Sequence, residues 1–215
     1  MPISLGRALT LRRSWYGRPI TGLKNQDLAD FLGWTAGFQT SFTHREEEAP
    51  HSYAPSAGNL PSLSCYLALT RATEDSLSIG PGLFRYLKAE HALVDLHRPD
   101  VQKQLQDGLV QAEFASYPAL VIVVADMAAT MRKYSARHYR TLHIDSGIMA
   151  QTQYLVTTAL GLGGCCITGF SDLSLHRLLG LPSGSFPSHI FSLGRPEPAP
   201  PSGASGFSEA TEFAE

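Results

Sequence analysis

The sequence predicts an α+β protein. A β-branched apolar run at 119–125 ends abruptly in Asp126. Apolar positions over 139–160 describe a long helix closed by Gly161-Leu162-Gly163-Gly164. Between and around them, strand and helix signals mix without the regular βαβ alternation of a parallel sheet.

Taken in order, the first helix is expected at 25–37, where Leu28, Phe31, Leu32 and Thr35 recur at helical spacing and Gly37 can end it. Residues 38–62 read as one long irregular segment holding Arg45-Glu46-Glu47-Glu48 and then Tyr53-Ala54-Pro55-Ser56-Ala57-Gly58-Asn59. Structureless loops of that length inside a compact domain are usually functional or disordered. A strand follows at 63–70. The segments 82–86 and 92–96 form a hairpin around Lys88-Ala89-Glu90, and 101–114 is helical in two pieces broken near Gly108. The 119–125 strand is apolar at every position, as a strand covered on both faces must be. In the helix over 139–160, Leu142, Ile148, Leu155 and Ala159 lie on or near one face. Asp172 is placed to cap a short helix ending near Gly180, and 188–193 is the last strand. After Pro196 the composition turns to Pro, Ala, Ser, Gly and Glu, a flexible acidic tail. The domain expectation is an extension at 1–10, one domain at 11–195 and the tail at 196–215.

At 215 residues, 43% hydrophobic and 17% charged, the chain can bury one sizeable core. A formal net charge of −2 argues against a general nucleic-acid binder. Cys65, Cys165 and Cys166 lack metal-ligand spacing, and the eight histidines form no ligand pair, so no metal is expected. An odd cysteine count with one vicinal pair suggests reduced thiols packed as small apolar groups. No apolar run is long enough to span a bilayer, and the N-terminal segment has no signal-peptide pattern. The expectation is a cytoplasmic protein without a membrane partner.

Several segments carry possible chemistry. Arg12, Arg13 and Ser14 offer two guanidinium groups and a hydroxyl suited to phosphate oxygens, though such a run also suits a solvated terminus. Arg195 stands at the exit of the last strand after Gly194. Pro55, Ser56, Ala57 and Gly58 form a tight turn with free backbone amides, against which a flat aromatic ring could lie. Lys133 and Tyr134, within Met131-Arg132-Lys133-Tyr134-Ser135-Ala136-Arg137-His138-Tyr139-Arg140, follow a core strand and precede a long helix. Both side-chain types act as bases when their surroundings lower their pKa; a solvated basic turn is the plainer reading. Phe31 and Trp34 are expected in the core. Cys165-Cys166 is expected to be packing, since vicinal disulfides are strained. Trp15 suits a cofactor or a dimer contact equally, and Gln151 and Gln153 suit the active site or a partner equally.

In this order the motifs resemble the FMN-dependent nitroreductase superfamily, and within it the SagB-type (McbC-like) dehydrogenases that oxidise azolines. The markers are Arg12-Arg13-Ser14, Pro55-Ser56-Ala57-Gly58-Asn59, Lys133-Tyr134 with Arg137-His138-Tyr139-Arg140, Gly147 through Gln151, Gly161-Leu162-Gly163, and Leu193-Gly194-Arg195. The resemblance implies a mainly antiparallel central sheet flanked by helices, in an intertwined homodimer with FMN at each of two interfaces. Arg12, Arg13, Ser14 and Arg195 would hold phosphate and ribityl oxygens, and the 55–58 turn of the partner would lie on the isoalloxazine. The backbone of Thr168 and Gly169 would approach flavin N5. Tyr16 stands where many relatives carry Arg or Lys; it can donate a hydrogen bond to the flavin pyrimidine edge but brings no charge, and Arg18 could substitute. The implied activity is oxidation of a thiazoline or oxazoline peptide, ribosomal or carrier-bound, with dioxygen as terminal acceptor, within a possible biosynthetic complex. Lys133 would be the base, its pKa lowered toward roughly 7 to 8 by burial or by Arg132 and Arg137, and Tyr134 would share or orient the proton. An NAD(P)H-dependent nitro- or quinone-reductase and a non-catalytic flavin-binding subunit are the alternatives.

Overall fold

The computed structural model describes residues 3–17, 20–44, 47–131 and 134–197. The tail expected from 196 therefore falls, apart from Pro196 and Glu197, outside the described residues.

Among the described residues, nine strands and six α-helices follow in chain order. They are α1 (Leu5–Leu11), β1 (Ile20–Thr21), α2 (Asn25–Ala36), β2 (Phe38–His44), β3 (Glu47–Ser52), β4 (Leu63–Leu69), β5 (Gly82–Leu87), β6 (Ala92–Asp95), α3 (Val101–Gly108), β7 (Ala119–Asp126), α4 (Met127–Met131), α5 (His138–Ala159), β8 (Gly163–Ile167), α6 (Asp172–Leu179) and β9 (Ser185–Pro196). Two 3-10 turns, Ala57–Asn59 and Ala112–Ser116, complete the set.

The main sheet runs β1-β9-β7-β4-β5-β6, with β8 also paired to β9. Every pairing among the described residues is antiparallel. β7 lies at its centre and is buried along almost its whole length, which is why its sequence has no polar alternation. Its side chains serve two cores. Ala119, Val121, Val123 and Ala125 join α2, α5 and Phe191 on one face. Leu120, Ile122 and Val124 join α3, α6 and Phe114 on the other. The architecture is thus an α+β sheet with helices on both faces.

Three elements differ from the sequence expectation. The stretch read as one irregular segment contains the β2–β3 hairpin, paired from Phe38↔Ser52 to His44↔Glu47. Its charged residues hid the strand pattern, because a two-stranded ribbon outside the main sheet needs no apolar face of its own. The extension at 1–10 holds α1, capped by Ser4, whose hydroxyl accepts from the Arg7 N–H at 3.2 Å. The cap of α6 is Ser171, which accepts from the Ser174 N–H at 3.3 Å; Asp172 lies in the first turn, where a carboxylate still favours the helix dipole.

Helix α5 buries a different face from the one its apolar residues suggest. Ile148 is exposed, while Asp145, Ser146, Gln153 and Thr157 are buried beside Leu142 and Met149. Asp145, Ser146, Gln153 and Thr157 each have a hydrogen-bond partner, with Gln153 Nε2 left unpaired among the described residues. The His189 ring is bridged by Ser146 Oγ at 2.7 Å and Gln153 Oε1 at 2.9 Å, and the Thr157 hydroxyl donates to the Gln153 carbonyl at 2.6 Å. Ser188 donates to Ser146 at 2.7 Å, so Ser146 in turn donates to His189 Nδ1 and the Nε2–H faces Gln153. Burial pushes the His189 pKa down to about 4.

Candidate functional site

Toward the C-terminal end of α5, Tyr154 gathers three segments. Its hydroxyl accepts from the Cys166 N–H at 2.9 Å and lies 3.0 Å from Ser14 Oγ. Its ring meets Phe191 edge-on at 5.0 Å and carries the Arg12 guanidinium 5.2 Å from its centroid. Cys165 Sγ is 3.9 Å from the same hydroxyl. Burial raises the Tyr154 pKa and pushes the Cys166 thiol up to about 11, so both stay protonated near neutrality. The segment is tied further by Trp15, whose N–H donates to the Gly164 carbonyl at 3.0 Å and whose carbonyl accepts from the Tyr117 hydroxyl at 2.6 Å. Arg13 donates to the backbone carbonyls of Thr10 and Arg12. Among the described residues neither Arg12 nor Arg13 has a carboxylate partner. Two cations beside a fixed serine hydroxyl form a donor set suited to a phosphate.

Toward the N-terminal half of α5, the 55–58 turn is held by Asp145. The Ala57 N–H donates to both carboxylate oxygens, at 3.1 and 3.3 Å, and the Ser62 hydroxyl donates to Oδ2 at 3.2 Å. Asp145 is 3% exposed, and burial raises its carboxyl pKa against the lowering effect of these donors and of His138. Gly58 turns the chain with φ of 63°, a left-handed conformation that favours glycine. The amide of Ala57 is therefore engaged rather than free; Pro55 and Gly58 remain exposed, with Ser56 half-buried.

The remaining predicted residues are distributed unevenly. Tyr134 is half-buried and stacks on buried His138, centroids 4.7 Å apart and 18° between planes. Lys133, with Arg132, lies outside the described residues. Arg18 does too. Thr168 is exposed just past the end of β8, and the Gly169 carbonyl accepts from Val110 N–H at 2.9 Å. Tyr16 donates to Glu113 Oε1 at 3.0 Å, an interaction that raises its pKa, so its hydroxyl is turned to the 112–116 turn. Arg195 does not join Arg12 and Arg13 by any hydrogen bond. Its guanidinium grips Asp27 at the start of α2, with contacts of 2.7, 2.8 and 3.1 Å. Trp34, expected in the core, is 50% exposed and packs on Tyr53 at 4.9 Å.

Thus Arg12, Ser14 and the strand leading to Thr168 meet at Tyr154, whereas the 55–58 turn meets Asp145. Tyr154 and Asp145 are the residues that sequence reasoning missed. A polar residue on the buried stripe of a long helix is the signal that could have found them, once the stripe is set at His138, Leu142, Asp145, Met149 and Gln153 rather than by apolar content. No group of histidine, cysteine or carboxylate side chains suited to a metal occurs among the described residues.

The nitroreductase family model matches residues 20–195, most of the chain. The chain belongs to the nitroreductase family. It is therefore a nitroreductase-family oxidoreductase. It is 28% identical over 150 residues to a Methanocaldococcus jannaschii protein that bears the name of a nitroreductase, covering 69% of this chain and 73% of that one. Among solved structures, a Ralstonia eutropha protein given the same name superposes with a TM-score of 0.70 at 20% identity, over 93% of this chain and 86% of the other. The Escherichia coli microcin synthetase McbBCD complex, with truncated pro-MccB17 bound, contains a chain that matches with a TM-score of 0.67 at 17% identity, over 92% of this chain and 75% of that one. At such identities the two structures share the fold with this nitroreductase-family chain. No helix among the described residues is long and apolar enough to cross a membrane.

Proposed function

We propose that this nitroreductase-family chain is an FMN-dependent azoline dehydrogenase. It converts thiazoline or oxazoline rings of a peptide precursor to azoles, with dioxygen as the terminal electron acceptor. The single observation that carries the reading is the sequence pair Lys133-Tyr134, four residues ahead of the helix that begins at His138, a base-bearing pair that flavin reduction by a nicotinamide does not require. The fold shared with a chain of the microcin synthetase complex supports it.

The residues present fit a flavin mononucleotide in part. Arg12, Arg13 and Ser14 would face its phosphate and ribityl oxygens, and the backbone at Thr168 and Gly169 would face the ring. Arg195 would have to share its guanidinium with Asp27. When bound, FMN supplies a hydride acceptor. Lys133 removes the proton from the neighbouring ring carbon, and Tyr134, fixed by its stack on His138, orients the lysine or relays the proton. The 55–58 turn, locked by Asp145, presents Pro55 and Gly58 outward to a second subunit. Exposed Ile144 on α5 (62%) and Leu5 on α1 (66%) are apolar surface that dimer formation would cover.

A reductase using NAD(P)H is the second reading, favoured by the name of the M. jannaschii relative. Anaerobic mixing separates the two. A thiazoline peptide bleaches the flavin of a dehydrogenase, whereas NADH bleaches that of a reductase. Lys133→Ala should keep FMN and substrate affinity and lose azole formation by at least roughly 10²-fold, followed by mass spectrometry as loss of two hydrogens per ring. Wild-type turnover in that variant would move the reductase reading ahead.

A further inference from the structure

A cleft of about 360 Å³ opens between α2 and the β5–β6 turn, lined by Asp30, Gly33, Trp34, Tyr53, Tyr86, Lys88 and His91 among others. That volume is within the range of small-molecule sites. Its polar groups converge from separate elements. The Tyr86 hydroxyl and His91 Nδ1 are 2.8 Å apart, and His91 lies over the backbone of α2 because Gly33 has no side chain there; a Cβ at Gly33 would sit 3.2 Å from His91 Cε1. A glycine in the middle of a helix is unfavourable relative to alanine. Here it makes room for an imidazole at the cleft wall.

Lys88 is the decisive group. It is partly buried and has no hydrogen bond or ion pair with any described residue. Burial lowers its pKa, with the Cys65 thiol the other group acting on it. A half-buried ammonium without a counter-charge is only partly solvated, and an anion entering the cleft would supply the missing charge. The lining is also aromatic, with Trp34 and Tyr53 in contact at 4.9 Å and 57° between planes. Asp30 also lines the cleft, its Oδ1 accepting from Gln26 Nε2 at 2.7 Å, so an anionic group is directed to the Lys88 end.

We propose that this cleft is a second ligand site that binds a small aromatic carboxylate, with Lys88 taking the acid group and Trp34 and Tyr53 taking the ring. It is independent of the flavin reading. Lys88 also lines a small cavity with Pro55, Ser56 and Asp145.

The test uses the full chain with indole-3-acetate and its neutral amide, followed by ligand-observed NMR. Saturable binding of the acid is expected, at least about tenfold tighter than the amide, since charge-assisted bonds are the stronger ones. Lys88→Met should bring the acid down to the level of the amide, and Trp34→Ala should weaken both. Absence of saturable acid binding, or equal affinity for acid and amide, overturns the proposal. The acid–amide comparison is made on the wild type, so it decides even if Lys88→Met does not fold. Equal acid affinity in a folded Lys88→Met would assign the ring contacts alone and overturn the role of Lys88.

Discussion

The two ends of α5 hold their neighbours by different chemistry. In the N-terminal half, one buried carboxylate, Asp145, collects the Ala57 N–H and the Ser62 hydroxyl from a single stretch of chain. Toward the C-terminal end, one neutral phenol, Tyr154, joins the Ser14 segment to β8 through the Cys166 N–H. A carboxylate binds donors more strongly than a phenol does, but burial opposes its charge, and its removal strands every donor it served. A phenol whose pKa is raised by burial stays neutral over the working pH range and can lose one bond at a time. The first region is therefore strong and brittle, and the second is weaker and tolerant.

The largest expected effect comes from breaking the brittle side. Asp145→Ala leaves the Ala57 and Ser62 donors without acceptors and should lower stability by about 3 kcal/mol, read as a drop in urea midpoint at unchanged slope. Asp145→Asn should lose less than half of that, because its amide oxygen accepts from Ala57 and its NH₂ can donate to Ser62. Equal losses in both variants would mean that charge, rather than hydrogen bonding, holds the turn.

The central architecture was legible because it rests on burial. The all-apolar 119–125 run, the hairpin around Lys88-Ala89-Glu90 and the glycine stop after the long helix follow from periodicity and turn chemistry; Gly161 indeed takes φ of 69°. The face of α5 was not legible. Asp145, Ser146 and Gln153 are buried where partners distant in sequence bind them, and a helical wheel contains no such information. The same holds for Trp34, placed in the core by its type and left half exposed by the cleft beside it. Of the candidate site, Arg12 and Ser14 were readable as donors, while the hub that positions them was not. Arg195 shows the limit from the other side, since its engagement with Asp27 depends on β1 pairing with β9.

Between the two ends, His189 supplies a pH-dependent effect of intermediate size. Its pKa is about 4 in the fold against 6.5 in the unfolded chain. Between those values the unfolded state binds more protons, so stability falls as pH falls, by about 2 kcal/mol at about pH 5 relative to about pH 8. Asp145 acts with the opposite sign in the window just above its ordinary value, because its folded pKa is raised. Urea titrations of the wild type and His189→Gln across this range isolate the histidine. If both lose stability equally, the acid sensitivity lies elsewhere and the comparison between the ends of α5 must be made at one pH only.

The smallest effect should come from the tolerant side. Tyr154→Phe keeps the ring against Phe191 and beneath Arg12 and removes only the hydroxyl. The Cys166 N–H then loses its acceptor, but Ser14 is exposed and turns to water. A loss of about 1 kcal/mol is expected, with no dependence on pH between about 6 and 8, since neither partner titrates there. The informative readout is the Ser14 segment itself, because Tyr154 couples it to β8. Amide hydrogen exchange of Cys166 should accelerate in the variant while the Ala57 amide, bound to Asp145, is unchanged. Acceleration at both amides would show that α5 transmits strain from one end to the other, and the two regions would then have to be treated as one.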